Sequence, residues 1–239
     1  MFVHYRSQGF IFKKEDRGDA DQLFLIYTKD FGKVEILGKA IRKISSKLRA
    51  GAEIFYLSEI EFIQGKTSKT LTDAIPIAKF KNIRKDLKSL KIAYRISGIL
   101  ESLIKGQEVD EEIWHLLIEV FRILDSSSFE GELPYYYFLW NFLAILGYQL
   151  SLYDCVLCQK KITPEKIYFS PREGGVICQN CSKRVRSCKE VSQEIVKMIR
   201  IILKKNWKSL SRIKLTPDYM NFLEKISQNY LSYVLEAFK

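Results

Sequence analysis

The chain has 239 residues, 47% of them hydrophobic and 13% aromatic, enough to bury a sizeable core in one or two domains, which excludes intrinsic disorder. Lys and Arg number 39 against 28 Asp and Glu, and the net charge of +11 points to a polyanionic partner, nucleic acid before membrane. The opening Met1-Phe-Val-His-Tyr-Arg lacks the basic segment, apolar run and cleavage site of a secretory leader. The expected location is therefore inside the cell, where thiols stay reduced.

Residues 5–13, 22–28, 34–41, 53–64 and 69–77 are rich in β-branched and aromatic side chains and are separated by turn signals, so they read as five strands. Asp30-Phe31-Gly32-Lys33 has the composition of a hairpin connection between the second and third. Five strands in so short a stretch predict a small closed barrel, which an OB-fold or an SH3-like barrel would satisfy equally. Tyr5, Phe10, Phe12, Tyr27 and Phe31 are candidate stacking platforms for bases, although their alternation is that of barrel core.

The third strand runs into Lys39, Arg42, Lys43, Lys47 and Arg49, with no acid between Glu35 and Glu53. Ile41, Ile44 and Leu48 are interleaved with these cations and are expected to anchor the segment while the charges face out. Such a loop can track a phosphate backbone; a solvated basic loop without a ligand has the same composition.

After Pro76 the period becomes helical. Over residues 81–104, Ile83, Leu87, Leu90, Tyr94, Ile96 and Leu100 form an apolar stripe. Lys81, Arg84, Lys85, Lys88 and Lys91 lie elsewhere on the first turns, as a second basic patch or a solvated face. A second helix is expected over 110–124, with Asp110, Glu111 and Glu112 at the end where the dipole favours acids. A loop follows at 126–131, then an uncharged segment, 133–153. Pro134, Asn141, Gly147 and Gln149 interrupt that segment, so it reads as a buried helix and not a membrane span.

Cys155-Val-Leu-Cys158 and Cys178-Gln-Asn-Cys181 have the spacing at which four thiolates close a tetrahedral zinc site. Four cysteines leave no open position for water, so the expected Zn2+ is single and structural rather than catalytic. The spacer is expected to fold back as a loop or hairpin, turning at Gly174-Gly175, and Cys188 is a spare thiol or a substitute ligand. Beyond it, helices are expected over 191–206, with Ile195, Met198, Ile199, Ile202 and Leu203 inward, and over 216–238, capped by Thr216 with Pro217 following.

No catalytic constellation can be assembled. His4 and His115 are isolated, no Gly-rich loop precedes a helix, and no nucleophile signature is present. The expectation is a non-enzymatic protein.

The order barrel, basic loop, helices, four-cysteine insertion, helices resembles the RecO family of bacterial recombination mediators over essentially the whole chain. Gly9-Phe-Ile-Phe, Asp19-Ala-Asp-Gln-Leu and Tyr27-Thr-Lys-Asp-Phe-Gly-Lys33 look like the family's opening. Leu143-Ala-Ile-Leu-Gly-Tyr148 leading to Cys155, and Phe169-Ser-Pro-Arg-Glu-Gly-Gly-Val-Ile-Cys178, look like its zinc region. The resemblance implies an α+β protein: an OB-fold DNA-binding barrel at 1–79 and a helical domain at 80–239 with a zinc-binding insertion at 153–190. It implies binding of single- and double-stranded DNA, annealing of complementary strands, and action with RecR to help RecA replace the single-stranded-DNA-binding protein on gaps, in the cytoplasm and at the nucleoid. Where the family has Gly-Ala-Arg-Arg, this chain has Lys39-Ala-Ile-Arg42-Lys43. DNA contacts are therefore expected at Lys39, Arg42 and Lys43, with Lys47 and Arg49 added on charge. The rival reading is a zinc-containing protein–protein adaptor whose basic surface is incidental.

Overall fold

The computed structural model describes residues 3–126, 129, 131–163, 166–213 and 216–238, so the loop expected at 126–131 lies partly outside the described residues. The chain forms two compact units, Met1–Ser128 and Phe129–Lys239.

In the first unit, β1 (His4–Arg17), β2 (Asp21–Thr28), β3 (Gly32–Gly38), β4 (Leu57–Gln64) and β5 (Lys69–Ala78) close a barrel in the order β1-β2-β3-β5-β4. Only β3 and β5 pair in parallel; the other neighbours are antiparallel. This is the topology of an OB-fold, and it decides between the two small barrels that the strand pattern allows. Closure depends on β1, which pairs with β4 up to Phe10 and with β2 from Gly9 to Arg17, bending at an irregularity between Ile11 and Lys13.

Ile11, Phe24, Ile26, Val34, Ile36, Ile60, Phe62 and Leu71 fill the barrel. Phe10, Phe12 and Tyr27 are also buried, but lie outside that cluster. Two helices follow, α1 (Leu87–Leu103) and α2 (Glu111–Ser126), and the second, with the residue before it, accounts for Phe10 and Tyr27. Phe121 of α2 sits 4.2 Å from Phe10, 5.7 Å from Phe55 and 5.9 Å from Phe80, ring centre to ring centre, and Asp110 exchanges hydrogen bonds with the Tyr27 hydroxyl. The strand is therefore buried on both faces, and alternation alone does not distinguish barrel interior from helix contact. Tyr5 and Phe31 pack around Phe62, at 5.4 and 5.7 Å. On α1 the buried face is Ile92, Ala93, Ile96, Ile99, Leu100 and Leu103; Leu87 and Tyr94, expected inward, are 83% and 53% exposed.

The second unit contains α3 (Leu133–Ile145), β6 (Ile167–Ser170), β7 (Gly175–Cys178), α4 (Gln179–Ser182), β8 (Lys189–Val191), α5 (Gln193–Ile202), α6 (Trp207–Leu210) and α7 (Pro217–Ala237). Every residue of α3 from Leu133 to Leu143 is buried, consistent with its lack of charge. The helix expected to reach residue 153 stops at Ile145. Gly147 takes φ +89°, and the N–H groups of Gly147 and Tyr148 turn back to the carbonyls of Ala144 and Leu143, which closes the last turn and sends the chain onward extended. Ser192 caps α5 and Thr216 caps α7, each accepting from the N–H three residues on. No helix among the described residues is long and apolar enough to cross a membrane.

Candidate nucleic-acid interface and metal centre

The basic segment lies in the connection from β3 to β4. Asp21 receives the Ala40 N–H at 2.7 Å, and the Ala20 carbonyl receives that of Arg42 at 3.0 Å, which fastens the segment to the β1–β2 turn. A single 3-10 turn at Lys47–Ala50 follows. Gly51 then passes so close to β5 that a Cβ there would stand 1.8 Å from the Ala74 carbonyl oxygen, which only glycine avoids. Ile41 and Ala52 enter the barrel core and Leu48 packs against it. Ile44 does not anchor anything: it is 96% exposed, at a turn where Ser46 N–H bonds to Lys43 O.

Lys39, Arg42, Lys43, Lys47 and Arg49 are all exposed. Arg42 leans on Asp16 at 3.3 Å. Among the described residues the other four have no acidic partner, whereas the cations of β1 are engaged: Arg6 with Glu59, Lys13 with Glu15 and Glu101, Lys14 with Glu53, and Arg17 with Glu15. The surface of β1 is thus largely self-neutralised, whereas the β3–β4 connection carries four exposed cations with no such partner. Both histidines are surface side chains: His4 contacts Glu61 at 2.7 Å, and His115 contacts Glu111 at 3.4 Å.

The second unit holds the four cysteines. The first pair sits in a tight reversal: Cys155 N–H donates to Lys160 O and Gln159 N–H to Cys155 O, both at 2.8 Å, with Gln159 at φ +59°. The second pair spans the end of β7 and the short α4. Between them β6 and β7 form the expected hairpin, Gly174 turning at φ +74°, and β8 adds a third strand beside β6. The Cys155, Cys158, Cys178 and Cys181 sulfurs lie within 4.8 Å of one another, Cys158 and Cys178 at 3.8 Å. A tetrahedral ion with bonds of about 2.3 Å to sulfur would space its ligands by roughly 3.8 Å, so the donor set fits one such ion.

The electrostatics agree. Burial opposes ionisation of Cys155, but N–H donors of Cys178, Cys158 and Leu157 outweigh it and bring the thiol down to about 6. Cys181 is pushed up to about 12, first by its hydrogen bond with Cys178 and then by burial. Four thiols this close cannot all ionise without a cation among them. Cys188 stands apart, its Sγ directed at the carbonyls of Val185 and Ser182.

Sequence reasoning missed the group that ties this centre to the helices. Arg200 of α5 donates to the Leu152 carbonyl and stacks 4.3 Å from the Tyr153 ring centre, holding the chain just before Cys155. In the sequence Arg200 is one more cation on an amphipathic helix, and nothing marks it out.

Two family models divide the chain: Recombination protein O N terminal matches residues 1–80, and Recombination protein O C terminal matches 84–239. A protein of Dehalococcoides mccartyi strain CBDB1 named DNA repair protein RecO is 31% identical over 97% of this chain and 91% of its own length. Proteins of the same name from Moorella thermoacetica and Alkaliphilus metalliredigens are 28% and 25% identical, over 97% and 95% of this chain and 86% and 92% of theirs. With the two models together matching nearly the whole chain, and a 31% identical relative matched over 91% of its length, the chain belongs to the RecO family.

Proposed function

We propose that the protein is a non-enzymatic recombination mediator that binds single- and double-stranded DNA through the barrel at residues 1–79. The observation that carries this reading is the exposed segment of Lys39, Arg42, Lys43, Lys47 and Arg49, four of whose cations have no acidic partner among the described residues. Contacts from these side chains to phosphates release counterions and carry no sequence information, which suits a protein acting on gaps of any sequence. Shielding the charge of two strands on one protein would favour their annealing by raising effective concentration.

RecR, RecA and the acidic tail of the single-stranded-DNA-binding protein are the partners this role requires, and the helical domain at 80–239 is their proposed platform. The proposed location is the cytoplasm, at the nucleoid. Cys155, Cys158, Cys178 and Cys181 would hold one structural Zn2+, which neutralises the thiolates and pins the insertion at 153–190, so that its binding energy becomes folding energy.

Binding of a fluorescent single-stranded oligonucleotide across a salt series tests the reading, with the native protein and with Lys39, Arg42 and Lys43 changed to Glu. The native affinity is expected to fall steeply with salt, and the variant to bind weakly with a flatter slope. Equal binding by the two would favour the adaptor reading, since a protein–protein adaptor has no need of this segment.

A further inference from the structure

The segment that leaves the basic loop, Glu53 to Tyr56, ends against a second set of cations. Phe55 has φ +63°, and its N–H donates to the Ile11 carbonyl while the Ile11 N–H donates to Tyr56. This pinned reversal turns Phe55 into the core and leaves Tyr56 half-buried at the surface. The Arg84 guanidinium lies 4.6 Å from the centre of the Tyr56 ring and donates to the Ile54 carbonyl and the Tyr56 hydroxyl; the Lys79 ammonium is 5.8 Å from the same ring. Held this way, Arg84 has fixed orientation and has lost little further freedom to bind.

Around it Lys79, Lys81, Lys85 and Lys88 are exposed, and none forms an ion pair among the described residues, although Lys88 feels the nearby Asp86 carboxylate. The acids nearby are spent. Asp86 caps α1, accepting from the Lys88 and Ser89 N–H groups and the Ser89 hydroxyl at 3.3, 2.9 and 2.7 Å. Asp125 accepts the Asn82 N–H at 2.7 Å, and Glu53 is engaged by Lys14. Five cations on one short stretch, with an arginine plane presented on an aromatic ring, match the chemistry of a single-stranded nucleic acid: phosphates for the lysines, a base face for the guanidinium.

We propose that a single strand seated on the basic loop continues past Tyr56 and Arg84 onto Lys81, Lys85 and Lys88, so that the binding track has two segments. This rests on the DNA-binding reading above. An acidic polypeptide would satisfy the lysines but has no flat face for Arg84.

The test uses fluorescent oligothymidylates of about 8 and about 24 nucleotides, short enough to occupy one segment and long enough to occupy both. The variant Lys81→Gln, Lys85→Gln, Lys88→Gln alters only exposed side chains. It is expected to bind the short oligomer within about twofold of the native protein, and the long one about tenfold more weakly, with a salt slope flatter by about 2. Arg84→Lys keeps the charge and removes the plane; at unchanged melting temperature it is expected to weaken the long oligomer without flattening the slope. Native binding with both lengths unaffected by the triple variant would overturn the second segment and leave the loop standing. Failure of the native protein to bind either length would overturn the reading beneath it as well. Displacement of the long oligomer by polyglutamate as readily as by unlabelled thymidylate would refute the stacking role of Arg84.

Discussion

Tyr230 of α7 stacks on Trp140 of α3, the rings 5.3 Å apart and within 10° of parallel, while its hydroxyl donates to the Tyr148 carbonyl at 2.8 Å. One side chain thus closes the helical core and fixes the chain on its way to the first cysteine pair. Burial raises the Tyr230 hydroxyl above the usual tyrosine range, so it stays a neutral donor. Tyr230→Phe keeps the stack and strands the carbonyl, and is expected to cost about 1 kcal/mol; Tyr230→Ala opens a cavity and is expected to cost about 3–5 kcal/mol. Urea denaturation of the three proteins measures both. Equal losses would mean that the hydroxyl, not the ring, carries the contact.

Metal removal is the next test. One zinc per chain is expected by elemental analysis, falling to none in Cys178→Ser. Because the hairpin of β6 and β7 is short and the first reversal is held by a few backbone hydrogen bonds and the Gln159 amide on the Val156 carbonyl, loss of the ion is expected to lower unfolding free energy by about 4 kcal/mol or more. Calorimetry of native, chelated and Cys178→Ser protein would show it. A melting curve unchanged by chelation, in protein shown to have lost its metal, would rule out a structural role.

Much of this was legible in the sequence because its signals are local. The two cysteine pairs, the Gly174 turn and the cap at Thr216 each depend on residues a few positions apart. What was not legible depends on which surface a side chain meets. Phe10 alternates around Ile11 as a barrel residue would, yet meets Phe121 of α2, over a hundred residues away in the chain. Leu87 and Tyr94 fit the apolar stripe of α1 but lie at the surface, Leu87 largely in solvent and Tyr94 touching only its edge to Phe55 among the ring contacts of the described residues. Ile44, interleaved with cations just as Ile41 is, differs from it only in how the turn after Ala40 directs it. Arg200 and Arg84 gained roles from a carbonyl and a ring supplied by distant segments, which composition cannot reveal.

Glu53 offers a pH test of the barrel. Burial alone would raise its carboxyl, but Lys14 and the Ile54 N–H outweigh that and hold it below the usual carboxylate range. A carboxyl lowered in the folded state contributes stability above its unfolded value of about 4.3 and loses it as pH falls through the folded value. The native protein is therefore expected to lose more stability than Glu53→Gln on acidification below about pH 5. Parallel pH–stability profiles for the two would show that the pair contributes nothing.

Gly51 and Ile44 separate the support of the basic loop from its tip. A methyl group at Gly51 must displace the Ala74 carbonyl, so Gly51→Ala is expected to destabilise the barrel by about 1–3 kcal/mol and to shift Lys47 and Arg49, which immediately precede it. Ile44→Ser touches nothing buried and is expected to change stability by less than about 0.5 kcal/mol. If the loop is the phosphate track, Gly51→Ala will also weaken oligonucleotide binding under conditions where it remains folded, because charges displaced by an ångström no longer match a strand held by their neighbours. Urea denaturation followed by oligonucleotide titration of each variant checks both points. A Gly51→Ala protein as stable as the native one would mean that β5 yields at Ala74, and the loop is then free to move with it.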